Sequence, residues 1–201
     1  MIADSDRLAG TELKGGYRNL LESDSMRHWA RVARLRCHID RHFGAESYAV
    51  RGILFDKQPG ANWNLGFHQD RKIAVRERIE TSGYSAWSVK EGVVHVEPPA
   101  AVLERMLAVR IHLDDCPIEN GPLLVLPGTH TRGKLNRYDV RHVRSEVEPV
   151  ACVARSGGAL TIRPLLVHAS SRAAVPTHRR VLHFEFAAEE PEGDPRWHFR
   201  V

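Results

Sequence analysis

No apolar run in the chain approaches the ~20 residues needed to cross a bilayer, and no Cys-x-x-Cys pair occurs among its three cysteines, Cys37, Cys116 and Cys152. The first absence argues against a membrane-spanning helix. The second, with the odd count, argues against a disulfide framework and a thiolate zinc site, and suits a reducing compartment. Nor is a secretory leader expected: Asp4, Asp6 and Glu12 stand where a leader places basic residues and then an apolar stretch. The expected location is therefore the cytoplasm. Repeats and low-complexity segments are also lacking, and proline and glycine are spread through turns with no linker. At 201 residues this predicts one domain over 1–201, helical over about 1–46 and with a β core over about 47–188. Nor is any basic block interleaved with aromatics, so the formal charge of +4 reads as solvated surface with room for an anionic small-molecule substrate. Nucleic acid is not expected as a partner, and no feature specifies an oligomeric state.

What the sequence does have is periodicity. Over 25–43, Trp29, Val32, Ala33, Ile39 and Phe43 recur at helical spacing, behind Asp24 or Ser25 as a cap and ahead of Gly44 as a stop, which predicts one amphipathic helix. Runs rich in β-formers follow at 48–56, 107–113, 123–126, 159–168 and 181–186. Turn sequences such as Lys57-Gln58-Pro59-Gly60, Glu119-Asn120-Gly121-Pro122 and Ser156-Gly157-Gly158 divide them. A short helix is predicted over about 98–105. The stretch 71–97 receives no element, and so long a connection is expected to be a loop at a substrate mouth. A helix followed by several short strands predicts a mainly β fold with flanking helices, of the jelly-roll, cupin-like kind.

His68-Gln69-Asp70 places an imidazole and a carboxylate two residues apart. In extended chain, residues i and i+2 point the same way, so both can converge on one ion. Alone, such a pair is more often a surface or core histidine beside an aspartate. His168, at the end of the apolar run Pro164-Leu165-Leu166-Val167, offers a third ligand. Two imidazoles and one carboxylate on one face of an octahedron leave the opposite face open for co-substrate and dioxygen, which favours non-haem iron(II) over structural zinc. Ser170 and Arg179 add a hydroxyl and a rigid guanidinium fork, a receptor for a carboxylate. Arg180, next along the strand, points to its other face.

In their order, these motifs resemble the phytanoyl-CoA dioxygenase family of iron(II)- and 2-oxoglutarate-dependent oxygenases. The series runs from a strand at Tyr48 through His68-Gln69-Asp70, Trp87, Leu113-Asp114-Asp115, Asn120-Gly121-Pro122-Leu123, Pro127-Gly128-Thr129-His130 and His168-Ala169-Ser170 to Arg179. The resemblance implies a double-stranded β-helix in which His68, Asp70 and His168 hold Fe(II). It implies 2-oxoglutarate as co-substrate, with Ser170 and Arg179 on its C5 carboxylate and Trp87 lining its pocket, and O2 as oxidant. A small molecule would then be oxidised with release of succinate and CO2. Because Asp70 occupies the position a halide would need, hydroxylation is expected over halogenation, with desaturation or ring closure open to the same ligands. Two departures bear on the substrate. The region before Tyr48 is short for the family, so a lid is trimmed or built from 71–97, and Gly157-Gly158-Ala159 stands where Gly-Asp often precedes the distal histidine strand.

His183, by strand parity with Arg179, and Arg51, by parity with Ile53 and Phe55, are lesser candidates for the pocket; each is as well read as a sheet residue. His130 reads as a turn residue, and Trp197 and His198 are placed over the barrel mouth by position alone. Two other classes keep the same ligands. A cupin-like metal enzyme that needs no keto acid leaves Ser170 and Arg179 unused, and a non-catalytic small-molecule-binding protein does not require the intact ligand set.

Overall fold

A computed structural model describes residues 16–201; the leader reading at Asp4, Asp6 and Glu12 lies outside the described residues. The region expected to be one helix is two, α1 (Asp24–Ala30) and α2 (Ala33–Phe43), broken where Val32 becomes extended (φ −55°, ψ 123°). Ala30 and Ile39 are both fully buried in one core cluster. Nine residues apart, they would stand about 180° apart around a continuous helix, and the break turns both to the same core.

The strands that follow are β1 (Tyr48–Lys57), β2 (Leu65–His68), β3 (Ile73–Val75), β4 (Ser85–Lys90) and β5 (Val93–Glu97). After α3 (Ala100–Glu104) come β6 (Met106–His112) and β7 (Leu123–Val125), and after α4 (Arg137–Glu146) come β8 (Val150–Cys152), β9 (Ala159–Ile162), β10 (His168–Ser170) and β11 (Arg179–Ala187). Two antiparallel four-stranded sheets, ordered β1-β11-β6-β9 and β2-β10-β7-β8, form the double-stranded β-helix, and β3-β5-β4 is a third sheet. Ala108 and Ile162 of the first sheet pack on Leu123 and Val125 of the second.

Alternation in β11 decides what each face of the first sheet carries. Leu182, Phe184 and Phe186 pack with Leu54 and Val109 against Leu20, Leu21, Met26 and Ile39 on the helix side. Facing the other way are Arg179, His183 and Glu185, paired in register with Lys57, Arg110 and Arg51 or Ala108 of the neighbouring strands. All of these polar residues are buried. The apolar face anchors the sheet, and the opposite face fills the barrel with titratable groups.

Three further expectations are corrected. The run 159–168 is two strands in different sheets, because Pro164 supplies no backbone N–H to a ladder and Leu166 N instead closes a turn onto the Arg163 carbonyl at 3.0 Å. The stretch 71–97 is the third sheet and not a loop; Glu91 and Gly92, with φ of 50° and 80°, make the tight turn between β4 and β5. Trp197 does not cover the mouth. It is 2% exposed, packs in the cluster of Tyr48, Ile73 and Val75, and donates Nε1–H to the Glu189 carbonyl at 2.8 Å. Helix α4 escaped the sequence reading although its signal is present: Asn136 accepts from the Tyr138 and Asp139 amides while Asp139 accepts from the Asn136 amide. Among the described residues, no helix is long and apolar enough to cross a membrane.

Candidate metal centre and anion receptor

Strands β2 and β10 pair so that His68 and His168 are directly opposite, and the ring centroids come to 4.4 Å. Each imidazole is aimed by its own backbone. Nδ1 of His68 meets the Gly66 carbonyl at 2.8 Å, and Nδ1 of His168 meets the Leu166 carbonyl at 2.8 Å. A carbonyl only accepts, so both Nδ1 atoms carry the proton and both Nε2 lone pairs are free for a metal. Asp70 follows β2, its amide tied to the Pro164 carbonyl at 3.0 Å. Its two carboxylate oxygens lie 3.9 Å from His68 Nε2 and 3.6 Å from His168 Nε2. One ligand atom from each of the three residues falls within 4.8 Å of the others.

Gln69 points away from the ligands, as alternation requires, and clamps the second sheet to its surroundings. Its Nε2 donates to the Gly133 and Leu165 carbonyls and its Oε1 accepts from the Leu135 amide, all at 2.8 Å. Electrostatics favour an ionised Asp70. Burial opposes the charge, but the imidazoles of His168, His183 and His68 and the Arg51 guanidinium outweigh it and hold the carboxyl at about 2. Burial in turn lowers the His168 pKa, favouring the neutral imidazole that a metal needs.

The second group lies where β1, β10 and β11 meet. Arg179, 2% exposed, donates Nη1–H to the Gly121 carbonyl and approaches Ser170 Oγ through Nη2 at 3.4 Å, leaving Nε without a partner. Gly121 is required there. Its φ is +60°, and a Cβ would stand 2.6 Å from the Ser171 carbonyl oxygen. The Asn120-Gly121-Pro122 motif thus delivers a carbonyl to the guanidinium. Arg180, on the other face, closes a two-pronged pair with Asp114 at 2.6 and 2.9 Å.

The sequence reading missed two cations beside this receptor. Lys57 is fully buried and donates from Nζ to Ser170 Oγ at 3.2 Å and to the Ser171 carbonyl. Burial, then the charges of Arg179 and Arg110, bring its pKa to about 8. Arg110, 7% exposed, reaches His183 Nδ1 at 3.3 Å and has an unpartnered Nε; burial and Arg179 bring its pKa to about 10. Lys57 and Arg110 stand in register opposite Arg179 and His183 of β11, a pairing between strands that no local pattern in the sequence records. Among the described residues, Arg51 is neutralised by Glu185 at 3.0 Å, whereas no ion pair joins Lys57, Arg110 or Arg179 to a carboxylate. Three buried cations with no carboxylate in an ion pair are an arrangement that an anion would compensate.

Of the residues singled out in the sequence, the fold brings His68, Asp70 and His168 into one group and Ser170 and Arg179 into another. Trp87 belongs to neither. It lies on β4, packs on the cluster of Tyr48 and Val50, and carries Arg78 at 5.7 Å from its ring.

Residues 3–181 match the family described as phytanoyl-CoA dioxygenase (PhyH). No curated protein sequence matches. Among solved structures, SnoN, described as a non-heme alpha ketoglutarate dependent epimerase from nogalamycin biosynthesis, aligns with TM-score 0.64 and 17% identity over 92% of this chain and 70% of that one. HygX from Streptomyces hygroscopicus, solved with nickel and 2-oxoglutarate bound, aligns with TM-score 0.62 and 17% identity over 96% and 78%. EctD from S. alaskensis, solved with bound Fe, aligns with TM-score 0.59 and 19% identity over 92% and 63%. At such identities these structures speak for the shared fold.

Proposed function

The chain belongs to the phytanoyl-CoA dioxygenase family, and on that footing we propose that it is an iron(II)- and 2-oxoglutarate-dependent dioxygenase that hydroxylates a small molecule, releasing succinate and CO2. One observation carries the reading: two imidazoles and a carboxylate with ligand atoms within 4.8 Å, in the same barrel as a buried receptor with no acid of its own. The donor set fits iron(II), since two nitrogen donors and one oxygen donor from β2 and β10 leave a face open. When bound, iron with the keto acid supplies the oxidising chemistry, activating O2 at the expense of oxidative decarboxylation.

The chain's own part is to bind, orient and exclude water. His68, Asp70 and His168 hold the metal, the imidazoles being locked in the useful tautomer by Gly66 and Leu166. Arg179 and Ser170 receive the distal carboxylate of 2-oxoglutarate, and the unpartnered Arg179 Nε is a donor that such a carboxylate satisfies. Burial of Lys57, Arg110 and Arg179 strengthens that attraction by removing competing water. SnoN, described as an epimerase, is a reminder that this scaffold supports other outcomes. Asp70 in the third ligand position leaves no place for a halide, which favours hydroxylation over halogenation.

Anaerobic optical titration with Fe(II) and then 2-oxoglutarate tests the reading. A weak metal-to-ligand charge-transfer band is expected with both, and is expected to vanish in Arg179→Ala at the same 2-oxoglutarate concentration. Iron binding without the band in the unmodified protein sinks the 2-oxoglutarate assignment and leaves a cupin-like metal protein. With a substrate in hand, product mass separates hydroxylation, which adds one oxygen, from epimerisation, which adds none.

A further inference from the structure

A cleft of about 390 Å³ lies between α4 and the end of β2, with Phe67, His68, Arg71, Arg137, Arg141 and Arg144 in its wall. His68 is shared with the candidate metal centre, while Phe67 and Gln69 alternate with it onto the α4 side of β2. Because β2 is an edge strand of its sheet, a molecule in the cleft reaches the metal position by passing round that edge at His68. Helix α4 segregates its charges around its axis. Arg137, Arg141 and Arg144, at spacings of four and three, fall within an arc of about 60°. Asp139 and Glu146 lie on the opposite side and are occupied. Asp139 closes the helix cap with Asn136, and Glu146 takes Arg132 at 2.8 Å and His142 at 3.1 Å. Arg71 has Glu97 at 3.5 Å, but none of the three helix arginines is in an ion pair among the described residues.

Like charges at these spacings weaken a helix, so the stripe is costly unless an anion offsets it. The guanidinium groups are nonetheless held in order by rings. Arg137 and Arg141 sit 4.7 and 5.0 Å from the centroid of the Tyr138 ring, and Arg144 sits 5.3 Å from that of Phe67. Tyr138 itself is 62% exposed. Ordered guanidinium forks match the geometry of oxyanions. We propose that this cleft binds the anionic group of the primary substrate, a phosphate or a carboxylate, and that the substrate extends from it past His68 to the metal. The assignment to a substrate rests on the oxygenase reading above; the anion site rests on the arginines alone.

The test is calorimetric titration of the full chain, loaded anaerobically with Fe(II) and 2-oxoglutarate, with phenyl phosphate, benzoate and the neutral benzyl alcohol as probes. Phenyl phosphate or benzoate is expected to bind and benzyl alcohol not, and the stronger of the two anions identifies which group the substrate carries. In the double variant Arg141→Gln, Arg144→Gln the anion affinity is expected to fall at least tenfold, while the charge-transfer band with 2-oxoglutarate persists and certifies the fold. Should that variant not fold, Arg137→Gln alone is expected to weaken binding at least threefold. Equal anion binding by wild type and variants overturns the proposal. So does tight binding of a single-stranded oligonucleotide that strengthens with length, which would mark a polyanion surface. Absence of the band in the wild type, with phenyl phosphate still bound through the arginines, overturns the substrate assignment and the oxygenase reading together.

Discussion

Replacing Lys57 by methionine, similar in length and uncharged, probes the unpaired charge inside the barrel most directly. Burial first, then Arg179 and Arg110, lower its pKa from 10.5 to about 8. Between about pH 8 and 10.5 the unfolded chain therefore binds more protons at this residue than the folded one, so its contribution to stability rises with pH across that window. Below about pH 8 the full cost of the buried ammonium is present. A difference of about 2.5 in pKa corresponds to roughly 3 kcal/mol. Offsetting this, Nζ donates to Ser170 Oγ and the Ser171 carbonyl, bonds worth about 1 kcal/mol each. Lys57→Met is thus expected to gain about 1 kcal/mol at pH 7 and to lose the added stability that the native protein acquires between pH 8 and 10. Urea unfolding at pH 7 and pH 9.5 measures both. Because a carboxylate compensates the ammonium, 2-oxoglutarate with Zn(II) is expected to stabilise the wild type more than the variant. A variant that is less stable than wild type by more than about 1 kcal/mol at pH 7, with the pH slope intact, refutes the idea that the ammonium is held without a counter-charge.

His68→Ala and Asp70→Ala are each expected to weaken Fe(II) binding at least ~100-fold, read by anaerobic metal titration; unchanged iron binding in both would remove them as ligands. Arg179→Ala is expected to raise the 2-oxoglutarate requirement by about 100-fold, the equivalent of losing roughly 3 kcal/mol of charge-assisted hydrogen bonding, with metal affinity preserved. Gly121→Ala, which puts a Cβ 2.6 Å from the Ser171 carbonyl oxygen at a φ of +60°, is expected to cost about 1–3 kcal/mol and to lower the thermal midpoint. Asn136→Ala removes the cap of α4 and is expected to cost about 1 kcal/mol in denaturant unfolding while leaving metal binding intact.

The sequence by itself singled out the candidate ligands, because each belongs to a short-range pattern: i, i+2 spacing for His68 and Asp70, and an apolar run ending abruptly at His168. It also singled out Ser170 and Arg179 as candidate partners and determined the β-rich character of the second half. Its failures share one physical origin, that local pattern does not register what a segment packs against. The apolar run 159–168 reads as one strand, yet Pro164 lets its ends serve opposite sheets. Val32 breaks a helix that nothing local forbids, because only the core requires Ala30 and Ile39 on the same side. Residues 71–97 look like a charged loop until Val75 of β3 and Val89 of β4 both come to lie beside Val94 of β5. Only the tertiary structure decided that Lys57 and Arg110, from strands β1 and β6, join Arg179 in one buried group of cations, and that the arginines of α4 flank the cleft lined by His68. Such groupings are contacts between residues dozens of positions apart, and they exist only once the sheets have closed.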